Sequence, residues 1–486
     1  MQTIYSKKSI FTGFFWRFAE RVGAQGVKLL IEIILARILL PDDYGLISLV
    51  TVFITVLNVF VNSGLGNALI QKKDADDLDF SSVFWFNIVW CIVLYLILFV
   101  SSPFLASFYG RTELTPVLRV LGLQVIISGV KNVEQAYVSK TMQFKKFFFA
   151  TLGGTIGAAI IGILMAYHGY GVWALVAQHL FNTLVDTIIL WITVKWRPKF
   201  MFSFERFKKL FSFGWKLLVS SLIDTIYTEI RQLVIGKFYS SSDLAFYNRG
   251  RQFPFLFVNN VNSSIDSVLF PTFSQEQDNK VKIKSMARKS IQMSTYIMAP
   301  LLMGLAFVGE PFVRLILTEK WLPSVPFMRI FCITFMFYPI HTANLNAIKA
   351  LGRSDLFLKL EIIKKIVGII ALVATMKISV MAMAYSLLAV SVCSQIINSW
   401  PNRKLLDYKY IDQLKDILPS VLLAVFMGIC VSQFTRLGLS DLVTLLVQIL
   451  VGAVIYLSGS VLLKLDGFLY LKRLVLDYFK KGKQRD

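Results

Sequence analysis

Residues 81–105 read SSVFWFNIVWCIVLYLILFVSSPFL and contain no charged side chain. An α-helix rises about 1.5 Å per residue, so this stretch can cross a hydrocarbon layer ~30 Å thick. Lys72 and Lys73 precede it and Arg111 follows it. The stretch therefore predicts a membrane-spanning helix whose charged flanks lie at the two aqueous interfaces.

Similar apolar stretches recur along all 486 residues. Hydrophobic types make up 56% of the chain and charged types 16%, whereas soluble domains are roughly 45–50% apolar and about 25% charged. We therefore predict an all-α polytopic membrane protein with about fourteen transmembrane helices. The predicted spans are 10–39, 43–70, 81–105, 115–140, 147–168, 171–195, 210–237, 243–273, 288–309, 325–349, 355–376, 378–400, 413–434 and 441–463.

The distribution of Lys and Arg predicts the orientation of these spans. The net charge is +22, which in a soluble protein would suggest nucleic acid. Here 32 basic residues fall in every second loop and the termini, and only 5 fall in the intervening loops. Basic loops remain on the cytoplasmic side, so we expect both termini in the cytoplasm, contacts with membrane lipids, and no nucleic-acid partner.

A faint internal repeat predicts the domain organisation. Residues 36–45, ARILLPDDYG, match residues 236–245, GKFYSSSDLA, at an offset of 200. Transporters built from two repeats commonly bind substrate between them. The predicted parts are an N-lobe at 10–195, a cytoplasmic linker at 196–209, a C-lobe at 210–400, two further helices at 413–463, and a basic amphipathic cytoplasmic tail at 464–486.

Charged residues inside the predicted spans are the candidate site. In the first span they occupy one stripe about 120° wide on a helical wheel, formed by Arg17, Glu20, Arg21, Lys28 and Glu32. Two later helices add five more, which are Lys216, Asp224, Arg231, Arg249 and Arg251. Intramembrane charges are costly and usually face a partner or a hydrated cavity.

The seven basic residues predict a cationic cavity that binds an anion. Guanidinium binds phosphate oxygens in a bidentate way, so phosphate or pyrophosphate suits such a cavity. Arg17 and Lys216 lie near helix ends, where snorkelling to the interface explains them equally well. Glu20, Glu32 and Asp224 either balance these cations or couple transport to a proton or sodium gradient.

The sequence predicts no cofactor, metal site or disulfide. Cys91, Cys332, Cys393 and Cys430 lie in apolar segments without a C-x-x-C pair, and the three histidines are scattered. Such cysteines are typical of small buried hydrophobic residues. No loop exceeds about 17 residues on this assignment, and no nucleophile–base arrangement or carboxylate pair stands out.

Four strings resemble a known family. They are ARILLPDDYGLISLVTVFITVLNVFVNSGLGNALIQK at 36–72, GVWALVAQ at 171–178, KWRPKF at 195–200 and DLAFYNRGRQFPFLFVNNVNSSIDSVLFPTFS at 243–274. In this order they resemble the Wzx-type polysaccharide and lipopolysaccharide flippases of the MOP exporter superfamily, especially the WzxC-like branch.

The resemblance implies a MOP/MATE-like fold, with two six-helix lobes in a V shape plus two C-terminal helices. It also implies that the chain flips an undecaprenyl-pyrophosphate-linked oligosaccharide (an O-antigen, capsule or exopolysaccharide repeat unit) from the cytoplasmic to the periplasmic leaflet of the bacterial inner membrane, by alternating access. Polysaccharide polymerase and other assembly proteins would be its partners. The alternatives are a cation-coupled multidrug exporter of the MATE type, which a basic cavity disfavours, and a membrane-embedded polysaccharide polymerase or ligase, which would be an enzyme.

Overall fold

The computed structural model describes residues 7–62 and 64–472, which are helical apart from turns and short connections. In a bilayer every backbone N–H and C=O must be bonded within the protein, and a helix achieves this within one segment. The described part of the chain therefore has the predicted all-α architecture. The basic amphipathic tail predicted at 464–486 lies mostly outside it.

Contacts between Cα atoms divide the chain into two compact units, Met1–Ala245 and Phe246–Asp486. The helices of the first unit are α1 Lys7–Ile38, α2 Pro41–Asn62, α3 Leu65–Gln71, α4 Asp77–Tyr109, α5 Leu114–Lys140, α6 Lys145–Tyr167, α7 Val172–Thr193 and α8 Phe204–Phe238. Helix α9, Ser241–Gln275, begins in the first unit and continues into the second.

The described residues of the second unit form eight further α-helices. They are α10 Lys280–Phe307, α11 Gly309–Leu317, α12 Val325–Met336, α13 Tyr338–Ala350, α14 Ser354–Thr375, α15 Val380–Leu405, α16 Tyr410–Ser432 and α17 Asp441–Leu462. Short 3-10 helices occupy Glu319–Ser324 and Gln433–Leu437.

Among the described residues, ten helical segments are long and apolar enough to cross a membrane, and all ten coincide with predicted spans. The other four predicted spans correspond to α1, α8, α9 and α14, which contain 32, 35, 35 and 22 residues. These four helices are long enough to span but contain no comparably apolar stretch. The chain is therefore a multi-pass membrane protein, while the count of fourteen stays a prediction.

Helices end and begin at equivalent positions in the two copies of the repeat. Helix α1 ends at Ile38 and α8 at Phe238, and the next helices begin at Pro41 and Ser241. The Asp43 carboxylate accepts a hydrogen bond from the backbone N–H of Leu40 at 3.0 Å. Asp243 accepts the equivalent bond from Ser240 at 3.2 Å. The offset of 200 residues is thus present in the helix boundaries as well as in the sequence.

Helix α8 packs closely against α2, α3 and α4 within the first unit. A Cβ added at Gly214 would lie 2.8 Å from the carbonyl carbon of Gly64, and one added at Gly236 would lie 2.9 Å from a methyl group of Leu49. The absence of side chains at these glycines permits the close approach of α8.

The boundary between the two units falls inside α9, later in the chain than the predicted linker at 196–209. The predicted lobe boundaries stay a prediction.

Candidate functional site

The charged stripe of α1 is described only in its second half. The side chains of Arg17, Glu20 and Arg21 lie outside the described residues. The Lys28 side chain is 66% exposed, and its ammonium lies 3.8 Å from the carboxylate of Glu32. Lys28 and Glu32 are one turn apart, which allows such a pair. Because hydrocarbon does not solvate an ammonium group, an exposed Lys28 far from both ends of α1 requires a hydrated or polar neighbour.

The charges of α8 divide into exposed and buried groups. Lys216 and Asp224 are exposed, and Arg231 is buried. Near Arg231, Gln232 donates a hydrogen bond to the Glu229 carboxylate. Lys216 lies three helical turns from the start of α8 at Phe204, a position within reach of the interface. Arg231 is the α8 cation that the protein itself encloses.

Helix α9 buries Arg249 against an aromatic ring. The Arg249 guanidinium carbon lies 4.9 Å from the centroid of Trp321, and the same group donates to the Gln252 amide oxygen at 2.6 Å. A cation over an indole face is attracted by the ring quadrupole. Arg251 is half-buried, with its guanidinium 5.4 Å from the Phe255 ring. Arg249 is therefore fixed in place, whereas Arg251 keeps part of its surface accessible.

A buried ion pair in the first unit was not among the predicted site residues. The Lys131 ammonium of α5 lies 2.8 Å from the Asp186 carboxylate of α7, and both side chains are largely buried. A glycine in α6 makes room for it, since a Cβ at Gly154 would lie 3.2 Å from the Cβ of Asp186. The sequence signal was present, because Asp186 is an isolated acidic residue in an otherwise apolar span.

A second buried carboxylate lies on the same helix α5. The Glu134 side chain is fully buried, and neither carboxylate oxygen has a hydrogen-bond partner among the described residues. Its nearest charge is the Arg197 guanidinium, at 3.8 Å. Arg197 donates instead to the backbone carbonyls of Val194 and Trp196, at 2.6 Å each. Glu134 is thus a buried carboxylate with a charged neighbour but no hydrogen-bond partner among the described residues.

An ion-pair network joins the start of α8 to the start of α4. Arg206 contacts Asp76 at 2.6 Å and Asp79 at 3.5 Å, and Lys72 contacts Asp79 at 2.6 Å. Burial acts to raise the pKa of Asp76, but hydrogen bonds from the Arg206 side chain and the Asp79 backbone hold it at about 2. Asp76 is therefore ionised at neutral pH, and its contact with Arg206 anchors the start of α8 beside the start of α4.

The described residues contain no group of three or more His, Cys, Asp or Glu side chains that could hold a metal ion. All four cysteines are free, and Cys91 and Cys332 are buried. The structure brings Lys28 to Glu32 and places Arg249 and Arg251 on one helix. The joint cavity predicted for the seven cations stays a prediction.

Comparison with known proteins identifies a family. A family model described as polysaccharide biosynthesis protein matches residues 34–326. The teichuronic acid biosynthesis protein TuaB of Bacillus subtilis is 26% identical over 380 residues, covering 76% of this chain and 77% of the relative. The succinoglycan biosynthesis transport protein ExoT of Rhizobium meliloti is 28% identical, covering 64% of this chain and 63% of the relative. The lipopolysaccharide biosynthesis protein WzxC of Escherichia coli is 23% identical, with 76% and 75% covered.

Two solved structures share the fold. The lipid II flippase MurJ in an inward closed conformation superposes with a TM-score of 0.74 at 14% identity, covering 93% of this chain and 98% of that chain. An inward-facing multidrug resistance MATE family transporter of the MOP superfamily superposes with a TM-score of 0.61 at 14% identity, with 79% and 94% covered. The predicted MOP/MATE-like fold is confirmed.

Proposed function

Because the chain belongs to the polysaccharide biosynthesis protein family, we propose that it translocates a lipid-linked oligosaccharide across a bacterial inner membrane. The cargo is an undecaprenyl-pyrophosphate-linked repeat unit of a surface polysaccharide, moved from the cytoplasmic to the periplasmic leaflet. The family match over residues 34–326 is the observation that carries this proposal. Relatives named for teichuronic acid, succinoglycan and lipopolysaccharide biosynthesis support it.

The chemistry of the charged helices suits this cargo. A pyrophosphate head is anionic and needs cations when it leaves the aqueous interface, whereas a polyprenyl tail is stable in hydrocarbon. Buried Arg231 and Arg249 and exposed Lys28 lie on three of the four charged long helices. Guanidinium and ammonium groups bind phosphate oxygens more strongly where water is partly excluded. We therefore assign the head group to these helices and the tail to the lipid phase.

The fold is also that of a multidrug transporter, so the fold does not distinguish the two kinds of cargo. The family match and the basic character of the charged helices favour an anionic glycolipid over a cationic drug. The same proposal includes alternating access, cytoplasmic termini and assembly with a polysaccharide polymerase. It also includes coupling to a proton or sodium gradient through Glu20, Glu32 or Asp224. The relatives are named as biosynthesis and transport proteins, and we propose no catalytic activity.

Deletion of the gene tests the cargo. We expect lipid-linked repeat units to accumulate on the cytoplasmic leaflet while surface polysaccharide disappears, because assembly continues on the inner side. Normal surface polysaccharide in a strain without a second exporter would contradict the proposal. Accumulation reversed by the wild-type gene would support it.

Charge reversal tests the cationic site in the same strain. Arg249→Glu places a carboxylate against the Trp321 ring and should abolish complementation, while the protein remains monodisperse after purification. Arg436→Glu is the matched control, since Arg436 is exposed in the short 3-10 helix Gln433–Leu437 and should complement fully. Equal complementation by both variants would remove Arg249 from the site.

A further inference from the structure

Glu134 of α5 lies inside the apolar core of the first unit. Its side chain is fully buried, and neither of its oxygens has a hydrogen-bond partner among the described residues. The hydrophobic cluster around this part of α5 includes Val133, Ala136, Val194 and Trp196. An ionised carboxylate without hydrogen bonds is far more costly in such surroundings than a neutral carboxyl group. The surroundings of Glu134 therefore favour its protonated form.

The guanidinium nitrogen nearest to Glu134 uses both of its hydrogen atoms elsewhere. Arg197 Nη1 lies 3.8 Å from Glu134 Oε1. The same nitrogen donates to the backbone carbonyl oxygens of Val194 and Trp196, at 2.6 Å each. A guanidinium has two hydrogen atoms on each terminal nitrogen, and Arg197 Nη2 donates to the carbonyl oxygen of Trp191. Arg197 therefore caps carbonyl groups at the C-terminal end of α7, as cations there commonly do, and it does not hydrogen-bond the carboxyl group.

The other charged groups around α5 do not neutralise Glu134 directly. Lys146 of α6 is a further cation whose charge acts on it. Lys131, one turn earlier on α5, is paired with Asp186 of α7 at 2.8 Å. Asp79 of α4 likewise has a lysine partner, at 2.6 Å. The charge of Glu134 therefore depends chiefly on whether a proton or Arg197 neutralises it.

Two indole N–H groups in the same region also have no acceptor. The Nε1 atoms of Trp191 and Trp196 are buried and have no hydrogen-bond partner in the described part of the chain. The Trp196 ring stacks on Tyr137, one turn after Glu134, with the ring centroids 6.2 Å apart. The Arg197 guanidinium carbon lies 5.3 Å from the centroid of the Trp191 ring. Buried donors are nearly always satisfied, so the end of α7 holds unused donors close to a carboxyl group that lacks them.

We propose that Glu134 is a reversible proton-binding site that controls the end of α7. In the conformation that the structure shows, the carboxyl group holds a proton and Arg197 caps the carbonyl groups. On release the O–H bond breaks, its electron pair stays on the carboxylate, and the proton passes to water beside the Arg197 side chain, which is 46% exposed. Arg197 Nη1 then exchanges one carbonyl oxygen for the carboxylate, which is the stronger acceptor.

This exchange would act on the connection between two helices. Arg197 lies in the segment that joins α7, which ends at Thr193, to α8, which begins at Phe204. Proton occupancy of Glu134 therefore sets how this segment is held at the end of α7. The site does not depend on the cargo proposed above.

Infrared difference spectra of the full-length protein in lipid nanodiscs test the proton site. At about pH 6 exposed carboxyl groups are ionised, so the spectrum of the wild type minus that of Glu134→Gln should show the carbonyl band of one protonated carboxyl group. This band should be lost reversibly as the pH is raised to about 9. Glu134→Asp keeps a carboxyl group and should shift the band without removing it. Glu113→Gln is the matched control, since Glu113 is exposed just before α5 and should contribute only an ionised carboxylate.

Fluorine NMR of protein that contains 5-fluorotryptophan follows the movement of Arg197. The Trp191 resonance, assigned with Trp191→Phe, should shift over the same pH range as the infrared band, because the guanidinium leaves its ring. The shift should be absent from Glu134→Gln. The Trp173 resonance, from the other end of α7, should stay constant in both proteins.

The contrary outcomes are distinct for each part of the proposal. Difference spectra that show an ionised Glu134 at about pH 6 would overturn the proton site, and a band that persists at about pH 9 would overturn proton release. A wild-type Trp191 resonance that does not move with pH would overturn the exchange by Arg197, and this measurement applies even where Glu134→Gln fails to fold. Neither measurement uses a substrate, so each outcome leaves the proposed function as it stands.

Discussion

Removal of one partner of the Lys131–Asp186 pair should destabilise the first unit strongly. The ammonium and carboxylate lie 2.8 Å apart, with side chains 16% and 11% exposed. At an effective dielectric constant of about 20 their attraction is ~6 kcal/mol, most of which offsets the cost of desolvating both charges. Asp186→Asn keeps the shape but leaves the Lys131 charge unpaired. Breaking a buried pair in this way costs about 3–5 kcal/mol, and the remaining exposure favours the lower end.

A double-mutant cycle measures the coupling between the two charges. The free energy of unfolding is measured by SDS titration in mixed micelles for Asp186→Asn, Lys131→Met and the double variant. We expect each single variant to lose about 3 kcal/mol and the double variant to recover to within about 1–2 kcal/mol of the wild type, because no unpaired charge remains. Glu205→Gln is the control, since the Lys209–Glu205 pair is fully exposed and its loss should leave the free energy of unfolding almost unchanged. Single variants within about 1 kcal/mol of the wild type, or additive losses in the double variant, would refute the reasoning.

Three further predictions follow from single positions. Gly45→Ala should lower the free energy of unfolding by at least ~1–3 kcal/mol, because its Cβ would lie 1.8 Å from the Ser241 carbonyl oxygen and backbone cannot easily move away. Lys28→Cys, in a chain whose native cysteines are replaced by serine, should react with a membrane-impermeant thiol reagent because we predict that position 28 faces water. Because the pKa of Asp76 is lowered to about 2, the Arg206–Asp76 ion pair should be intact at all pH values above the ordinary pKa of a carboxyl group and should be lost as the pH falls through about 2. A spin label at position 200 would report this loss as increased mobility.

Each of these predictions has a matched control. Gly26→Ala meets no atom within 4 Å and should be neutral or stabilising by about 0.5–1 kcal/mol. Leu30 is 61% exposed but should face lipid, so Leu30→Cys should react at least about tenfold more slowly than Lys28→Cys. Equal reaction rates would contradict the prediction that position 28 faces water. Asp76→Asn should show high mobility at every pH, whereas Asp74→Asn should titrate like the wild type. A wild-type label whose mobility stays the same as the pH falls from 5 to below about 2 would exclude Asp76 as its anchor.

Hydrophobic length predicted most of the fold, because a bilayer imposes one strong requirement on each span. Helices α1, α8, α9 and α14 also lie at predicted spans, although their charged and polar residues leave them without a stretch as apolar as those of the other ten. The breaks within spans were not predicted. The span at 325–349 is divided between α12 and α13 near Pro339, whereas Pro103 lies inside an unbroken α4. Proline removes one backbone donor, but packing around each proline decides whether the helix divides.

The site was predicted in residue type more than in arrangement. Lys28 and Glu32 form a pair, as their shared helical face allows. Arg249 was predicted as a site residue, but its contact with Trp321 joins residues 72 positions apart in the sequence. Helical periodicity describes neighbours on one helix and contains no information on which other helix packs there. For the same reason the sequence did not indicate Asp186 as the partner of Lys131, or Asn398 as the partner of His341. Such pairings depend on tertiary packing.

Translocation in proteoliposomes tests the central claim most directly. The purified full-length protein is reconstituted with an undecaprenyl-pyrophosphate-linked oligosaccharide in one leaflet, and the fraction that becomes accessible to a glycan-modifying reagent in the other leaflet is followed with time. We predict rapid movement that depends on the protein and is lost in Arg249→Glu. Movement no faster than in protein-free vesicles, under conditions in which the protein binds the lipid, would contradict the account.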